Sequence, residues 1–170
     1  ILLSCSVILA LFCSVYSFEI ISLRYDNYIE QSTAILQILM MCFVCVSSTY
    51  IFGTLLTANG NLLYLNIMAG FGMGLNIILN LILIPESGAL GSAYASLITQ
   101  AITAIVQVYL CYKIFNLHML ATFVRLLLFM CGLVVFLLFL NNANFLFINT
   151  IIFYLSFSLF WLFLSRIITI

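Results

Sequence analysis

Six long apolar runs divide the chain, near Leu2 to Phe18, Ala34 to Leu56, Leu62 to Ile84, Leu90 to Cys111, Ala121 to Leu140 and Phe147 to Ile168. Between them lie EIISLRYDNYIEQST, TANGN, PESGALG, YKIFNLHML and NNANF, which collect the charges and turn formers that the runs lack. A helix rises about 1.5 Å per residue, so about 20 apolar residues cross the roughly 30 Å of bilayer hydrocarbon. The runs have that reach. None alternates apolar and polar positions with a period of two, which argues for helices rather than barrel strands. A backbone inside hydrocarbon must satisfy its own hydrogen bonds. The pattern therefore predicts an all-α integral membrane protein, a bundle of six transmembrane helices with short connections and no extramembrane domain.

Composition sharpens this picture. Hydrophobic residues make up 67% of the 170 and charged residues 5%, whereas soluble domains carry roughly 25% charged residues. Lipid-facing Leu, Ile and Phe cost nothing to expose, so hydrocarbon is the solvent such a sequence suits. With zero net charge and no basic run, nucleic acid is excluded as a partner; membrane lipids are the expected surroundings. The six cysteines fall within or at the ends of apolar runs, where a thiol behaves as a small hydrophobe, and no disulfide, metal site or cofactor is expected. The chain opens at Ile1 without a Met or a charged leader, so the first run does not read as a signal peptide, and a C-terminal part of a longer protein is the expectation.

Loops alternate sides, which sorts the charges. Lys113, His118, Arg125 and Arg166 fall on one side; Glu19, Arg24, Asp26, Glu30 and Glu86 fall on the other. The first side holds most of the basic residues, so the positive-inside rule makes it cytoplasmic, with both chain ends there. The connector EIISLRYDNYIEQST is amphipathic and is expected to lie along the outer interface before the second span begins.

Candidate chemistry is confined to a few polar positions within the runs. Asn76 and Asn80 are four residues apart and share one helix face, in a span that also holds Asn66 and a close-packing face of Gly70, Gly72 and Gly74. Their amides need partners that lipid does not supply, so they face either protein or a wet cavity. Along the fourth span, Ser92, Ser96, Thr99, Gln100, Thr103 and Gln107 recur every three or four residues as one polar stripe. The stripe lines a hydrated path or forms a polar seam against Asn76 and Asn80; both readings stand at this level. Arg125 lies one helical turn inside the fifth span. It either pairs with a phosphate or carboxylate group or snorkels to the headgroups. Asn76, Asn80, Ser96, Gln100, Thr103, Gln107 and Arg125 are thus the candidates for a substrate path or cavity.

Other features carry less. The pair Cys42 and Cys45 has no histidine or second cysteine pair near it to complete a metal site. GFGMG lacks the strand that a dinucleotide loop requires. In PESGALG, Pro85 is expected to end the third span at Ile84, with Ser87 and Gly88 turning the chain and Gly91 opening the next helix in close contact with the last.

Three segments in order, LRYDNYIEQSTAILQILM, GTLLTANGNLLYLN and NIILNLILIPESGALGSAYASL, resemble the polysaccharide-biosynthesis flippases of the multidrug, oligosaccharidyl-lipid and polysaccharide exporter superfamily. The third is the most specific: Asn76, Asn80, Pro85, Gly88, Gly91 and Ala95 match the family's helix-turn-helix pattern. TANGN departs from the family in lacking a basic residue. The resemblance covers about Leu23 to Gln100 and implies that the chain is the C-terminal half of a transporter of twelve to fourteen helices. It further implies an N-terminal bundle of the same transporter as partner, a lipid-linked oligosaccharide as substrate, and export across the cytoplasmic membrane by alternating access without covalent chemistry. An ion-coupled multidrug exporter is the alternative within transport, and a membrane-embedded glycan transferase or polymerase the alternative outside it. The first favours a carboxylate inside a span and the second a reactive loop, and the sequence offers neither.

Overall fold

A computed structural model describes residues 2–115, 119–142 and 147–164, and every regular element among them is an α-helix. In chain order these are α1 (Leu2–Val15), α2 (Ser17–Ser22), α3 (Ile29–Ala58), α4 (Leu62–Ser87), α5 (Ala89–Phe115), α6 (Met119–Asn142) and α7 (Phe147–Leu164). By length and composition α3, α4 and α5 can each cross a membrane. α1, Val124–Leu140 of α6 and Asn149–Trp161 of α7 add shorter apolar stretches. This helical, apolar architecture is that of a membrane-embedded protein. His118 and Arg166 lie outside the described residues.

Several boundaries differ from the apolar runs, each for a local reason. The first run is broken: α1 ends at Val15, Tyr16 leaves helical geometry, and α2 covers Ser17–Ser22. The Ser14 carbonyl at the break accepts from the Ser17 hydroxyl at 3.0 Å and from Gln37 Nε2 of α3 at 3.1 Å. A backbone oxygen freed inside an apolar region is thereby satisfied. The amphipathic connector is mostly helix too, because α2 takes its first part and α3 begins at Ile29, five residues before the run. Glu30 in the first turn of α3 suits the positive end of the helix dipole.

TANGN closes α3 by side-chain-free chemistry. Gly60 takes φ +78°, the Asn61 N–H bonds to the Leu56 carbonyl, and the Gly60 N–H bonds to the Thr57 carbonyl, both at 3.0 Å. That is the paired termination in which a left-handed glycine satisfies two orphan carbonyls.

Pro85 does not end α4. The helix runs through it to Ser87, and the reversal falls at Gly88, with φ +56° and ψ −128°. Proline in a final turn removes a single intrahelical bond, and the Gly88 N–H to Ile84 carbonyl bond of 2.8 Å closes the turn beyond it. A backbone angle of that sign is one that glycine adopts without penalty, so the stop belongs to Gly88.

α3 lies centrally. It packs against α1, α2, α4 and α5, while α1 also meets α6 and α7, which pair with each other. The helices thus form a row from α6 and α7 through α1, α3 and α5 to α4 at the far edge. The tightest core is at the first end, where Val7, Ile8, Phe129, Leu133, Leu137 and Tyr154 are buried together. Tyr154 donates its hydroxyl to the Ile8 carbonyl at 2.9 Å, and Phe157 stacks on Phe136 with centroids 3.8 Å apart. At the other end α4 leaves Phe71, Met73 and Leu81 exposed, an outer surface suited to hydrocarbon.

Candidate functional site

α4 and α5 form an antiparallel hairpin whose register follows from three contacts. Gly91 lies against Leu83, Asn76 against Thr99, and Gly72 against Thr103. Close approach begins at the reversal. A Cβ built on Gly91 would overlap the Leu83 carbonyl group, so this helix crossing requires glycine there.

Because the hairpin is tight at Gly91, the polar side chains further along meet across it. Asn80 Nδ2 donates to the Asn76 carbonyl and to Asn76 Oδ1, both at 2.9 Å. Asn76 Nδ2 reaches Thr99 Oγ1 at 3.4 Å. Thr99 donates in turn to the Ala95 carbonyl, and Thr103 to the Thr99 carbonyl, each at 2.8 Å. Asn80 Oδ1 is buried without a donor.

Beside this chain of bonds a cleft of about 460 Å³ opens between the helices, lined by Gly72, Asn76, Ser96, Thr99, Gln100 and Thr103 among others. Asn76 stands near the middle of α4, and Thr99 and Thr103 flank the middle of α5. The cleft therefore sits at half the depth of both helices, where the surrounding hydrocarbon offers polar groups least. Ser96 and Gln100 form no hydrogen bond to any described residue.

The stripe on α5 is split. Ser96, Thr99, Gln100 and Thr103 line the cleft, but Gln107 is turned between α3 and α5 and is buried there. Its amide covers Gly53, with Gln107 Oε1 at 3.6 Å from where a Gly53 Cβ would stand and with no donor of its own. Helical spacing alone does not reveal this, because the stripe drifts around α5 and its last member reaches the α3 side. Arg125 is also apart: it is exposed on α6, and α6 packs against α1 and α7. Pro85, Gly88 and Gly91 stand at the reversal, away from the cleft.

The sequence sets Gly70, Gly72 and Gly74 beside Asn76 and Asn80 as a close-packing glycine face without saying which of them meets α5, and in the structure it is Gly72. It is the buried glycine of α4, its Cβ position 3.4 Å from Thr103 Oγ1 and 3.8 Å from Thr99 Cγ2. Gly70 and Gly74 meet nothing within 4 Å. The available signal was the antiparallel register itself: once Asn76 is set opposite Thr99, the residue one turn earlier on α4 falls opposite Thr103.

The split stripe gives a direct expectation. In single-cysteine replacements, Gln100→Cys reacts with a membrane-impermeant thiol reagent, whereas Gln107→Cys does not, as read by mass spectrometry of the two peptides. Equal reactivity at both positions would mean that the stripe is continuous and the division between cleft and α3 contact is wrong.

Among the described residues that line the cleft none is charged. Glu86 is in the last turn of α4 and Lys113 in the last turn of α5, at opposite ends of the hairpin. Among the described residues no three His, Cys, Asp or Glu side chains gather to hold a metal ion. The site can donate and accept neutral hydrogen bonds, and Met68, Ala69, Met73 and Ile77 add an apolar surface on its α4 side. No protein-family model, curated protein or solved structure matches the chain.

Proposed function

We propose that the chain is one lobe of a membrane transporter, six spans long, belonging to a flippase that exports lipid-linked oligosaccharide or polysaccharide precursors across the cytoplasmic membrane. Both chain ends face the cytoplasm in this reading, as the distribution of Lys and Arg suggests. A second bundle of the same transporter completes the path. The substrate crosses unchanged while the two lobes alternate between inward-open and outward-open arrangements.

The observation that carries this reading is the neutral polar cleft at half depth on the edge hairpin of the row. An unengaged glutamine amide and a serine hydroxyl at that depth are costly against hydrocarbon. Water or a facing protein surface removes that cost, and a transport path between two lobes supplies each in turn. The tight reversal at Gly88 and Gly91 serves this arrangement by fixing α4 against α5, so that the polar face is rigid as it changes neighbours.

Ion-coupled drug export is less well supported. All four acidic residues stand at helix ends or in the 23–28 connector, namely Glu19, Asp26, Glu30 and Glu86, so no carboxylate occupies a mid-span position. The test is genetic and chemical. Cells lacking the intact protein are expected to retain lipid-linked repeat units in the inner leaflet and to lose surface glycan. Normal surface glycan in such cells would overturn the flippase reading.

A further inference from the structure

Building on the flippase reading, we infer that the α4–α5 cleft is the subsite for the uncharged sugar portion of the substrate, engaging its hydroxyl groups, and not for the phosphate linkage to the lipid.

A lipid-linked oligosaccharide presents three chemistries: an apolar tail, an anionic phosphate linkage and neutral polyols. Each asks for a different wall. Phosphate oxygens only accept hydrogen bonds, and they bind where Arg, Lys or several backbone N–H groups converge. Among the described residues that line it, the cleft has none of these. Its polar side chains are Asn76, Ser96, Thr99, Gln100 and Thr103, all neutral, and their backbone lies within continuous helix. Lys113 is ten residues from Thr103 along α5, about 15 Å at the helical rise per residue.

The hydrogen-bond directions are as informative as the charge. Thr99 and Thr103 have spent their protons on main-chain carbonyls, so their oxygens offer lone pairs. Asn76 accepts from Asn80 at Oδ1 and reaches Thr99 Oγ1 with Nδ2, which leaves one lone pair on Thr99 and two on Thr103. The threonines thus face the cleft as acceptors, beside groups in Gln100 and Ser96 that can both donate and accept. An anionic oxygen finds no cation along this wall, while Met68, Ala69, Met73 and Ile77 give the α4 side an apolar surface. Sugar hydroxyls donate and accept at once; they satisfy the threonine oxygens and also the free Gln100 amide and Ser96 hydroxyl.

The test uses the intact protein in membrane vesicles, carrying Ser96→Cys or, separately, Thr103→Cys, and a water-soluble methanethiosulfonate reagent. The probes are a neutral disaccharide, N,N′-diacetylchitobiose, and inorganic pyrophosphate. The disaccharide is expected to slow labelling saturably, by about threefold once its free concentration reaches about twice its Kd. Pyrophosphate is expected to leave the rate unchanged. Asp26→Cys, in the exposed connector, must not be slowed by either probe, which separates occupancy from loss of reagent.

Protection by pyrophosphate and not by the disaccharide would overturn the assignment, as would free labelling that no sugar slows; in both cases the flippase reading survives on the glycan phenotype. Failure of both cysteines to label in any state would mean a dry seam, and the cleft would then serve neither reading.

Discussion

Replacing Gly91 by alanine is expected to prevent the α4–α5 hairpin from closing, and to cost at or above the upper end of the about 1–3 kcal/mol that overpacking usually costs. The reason is the identity of the obstacle. A Cβ at position 91 would overlap the Leu83 carbonyl, which is main chain and cannot turn aside as a side-chain tip does. Relief requires the helices to separate, and separation breaks the Asn76–Thr99 contact that depends on their spacing. Gly70→Ala and Gly74→Ala are the matched controls, because nothing lies within 4 Å of either Cβ position. Those two changes are expected to be neutral or to stabilise by up to about 1 kcal/mol through helix propensity. Unfolding of the purified protein by titration with a denaturing detergent distinguishes them. A Gly91→Ala midpoint equal to that of Gly70→Ala would mean that the close crossing is not needed.

The contrast among these glycines shows what one sequence can reveal about a helical membrane fold. Apolar runs show where helices form, because hydrocarbon tolerates little else, and α3, α4 and α5 fall where the runs of Ala34, Leu62 and Leu90 begin or slightly before. The runs say less about ends. Pro85 reads as a stop because it lacks an N–H, yet a last turn loses only one bond to it, and the sign of φ at Gly88 decides where the chain reverses. The break at Tyr16 was not legible at all. It depends on Gln37, twenty-one residues away, supplying a donor to the Ser14 carbonyl.

Part of the candidate site was legible for an equally physical reason. Polar residues in an apolar helix are costly, so the stripe on α5 and the pair on α4 stand out, and the structure sets Asn76, Ser96, Gln100 and Thr103 around one cleft. Spacing does not say how far around the helix a stripe drifts before it meets another neighbour. Gln107 therefore falls against Gly53 on the α3 side, and Arg125 lies exposed on a helix that packs elsewhere. Gly72 was legible only as one of three glycines beside Asn76 and Asn80, not as the one that meets α5. A residue without a side chain gives no polarity signal, and its role is visible only through what stands opposite it.

Gly72 also permits the sharpest separation of architecture from transport. Alanine there places a methyl group 3.4 Å from Thr103 Oγ1 and 3.8 Å from Thr99 Cγ2, contacts close to ordinary packing distance, so the Gly72→Ala protein is expected to fold. Leucine carries three further carbons, and the space they can enter without moving a helix backbone is the cleft itself. Gly72→Leu is therefore expected to fill the subsite and, on the flippase reading, to lower surface glycan about tenfold or more, a loss equivalent to about 1.4 kcal/mol of binding or greater. The same replacement combined with Ser96→Cys is expected to suppress thiol labelling, since reagent and substrate share the volume. Detergent titration guards against a trivial loss of fold: the comparison counts where the Gly72→Leu midpoint stays near that of Gly72→Ala. A folded Gly72→Leu protein that still labels at Ser96→Cys and still exports glycan at the normal rate would place the substrate path on some other face of the bundle.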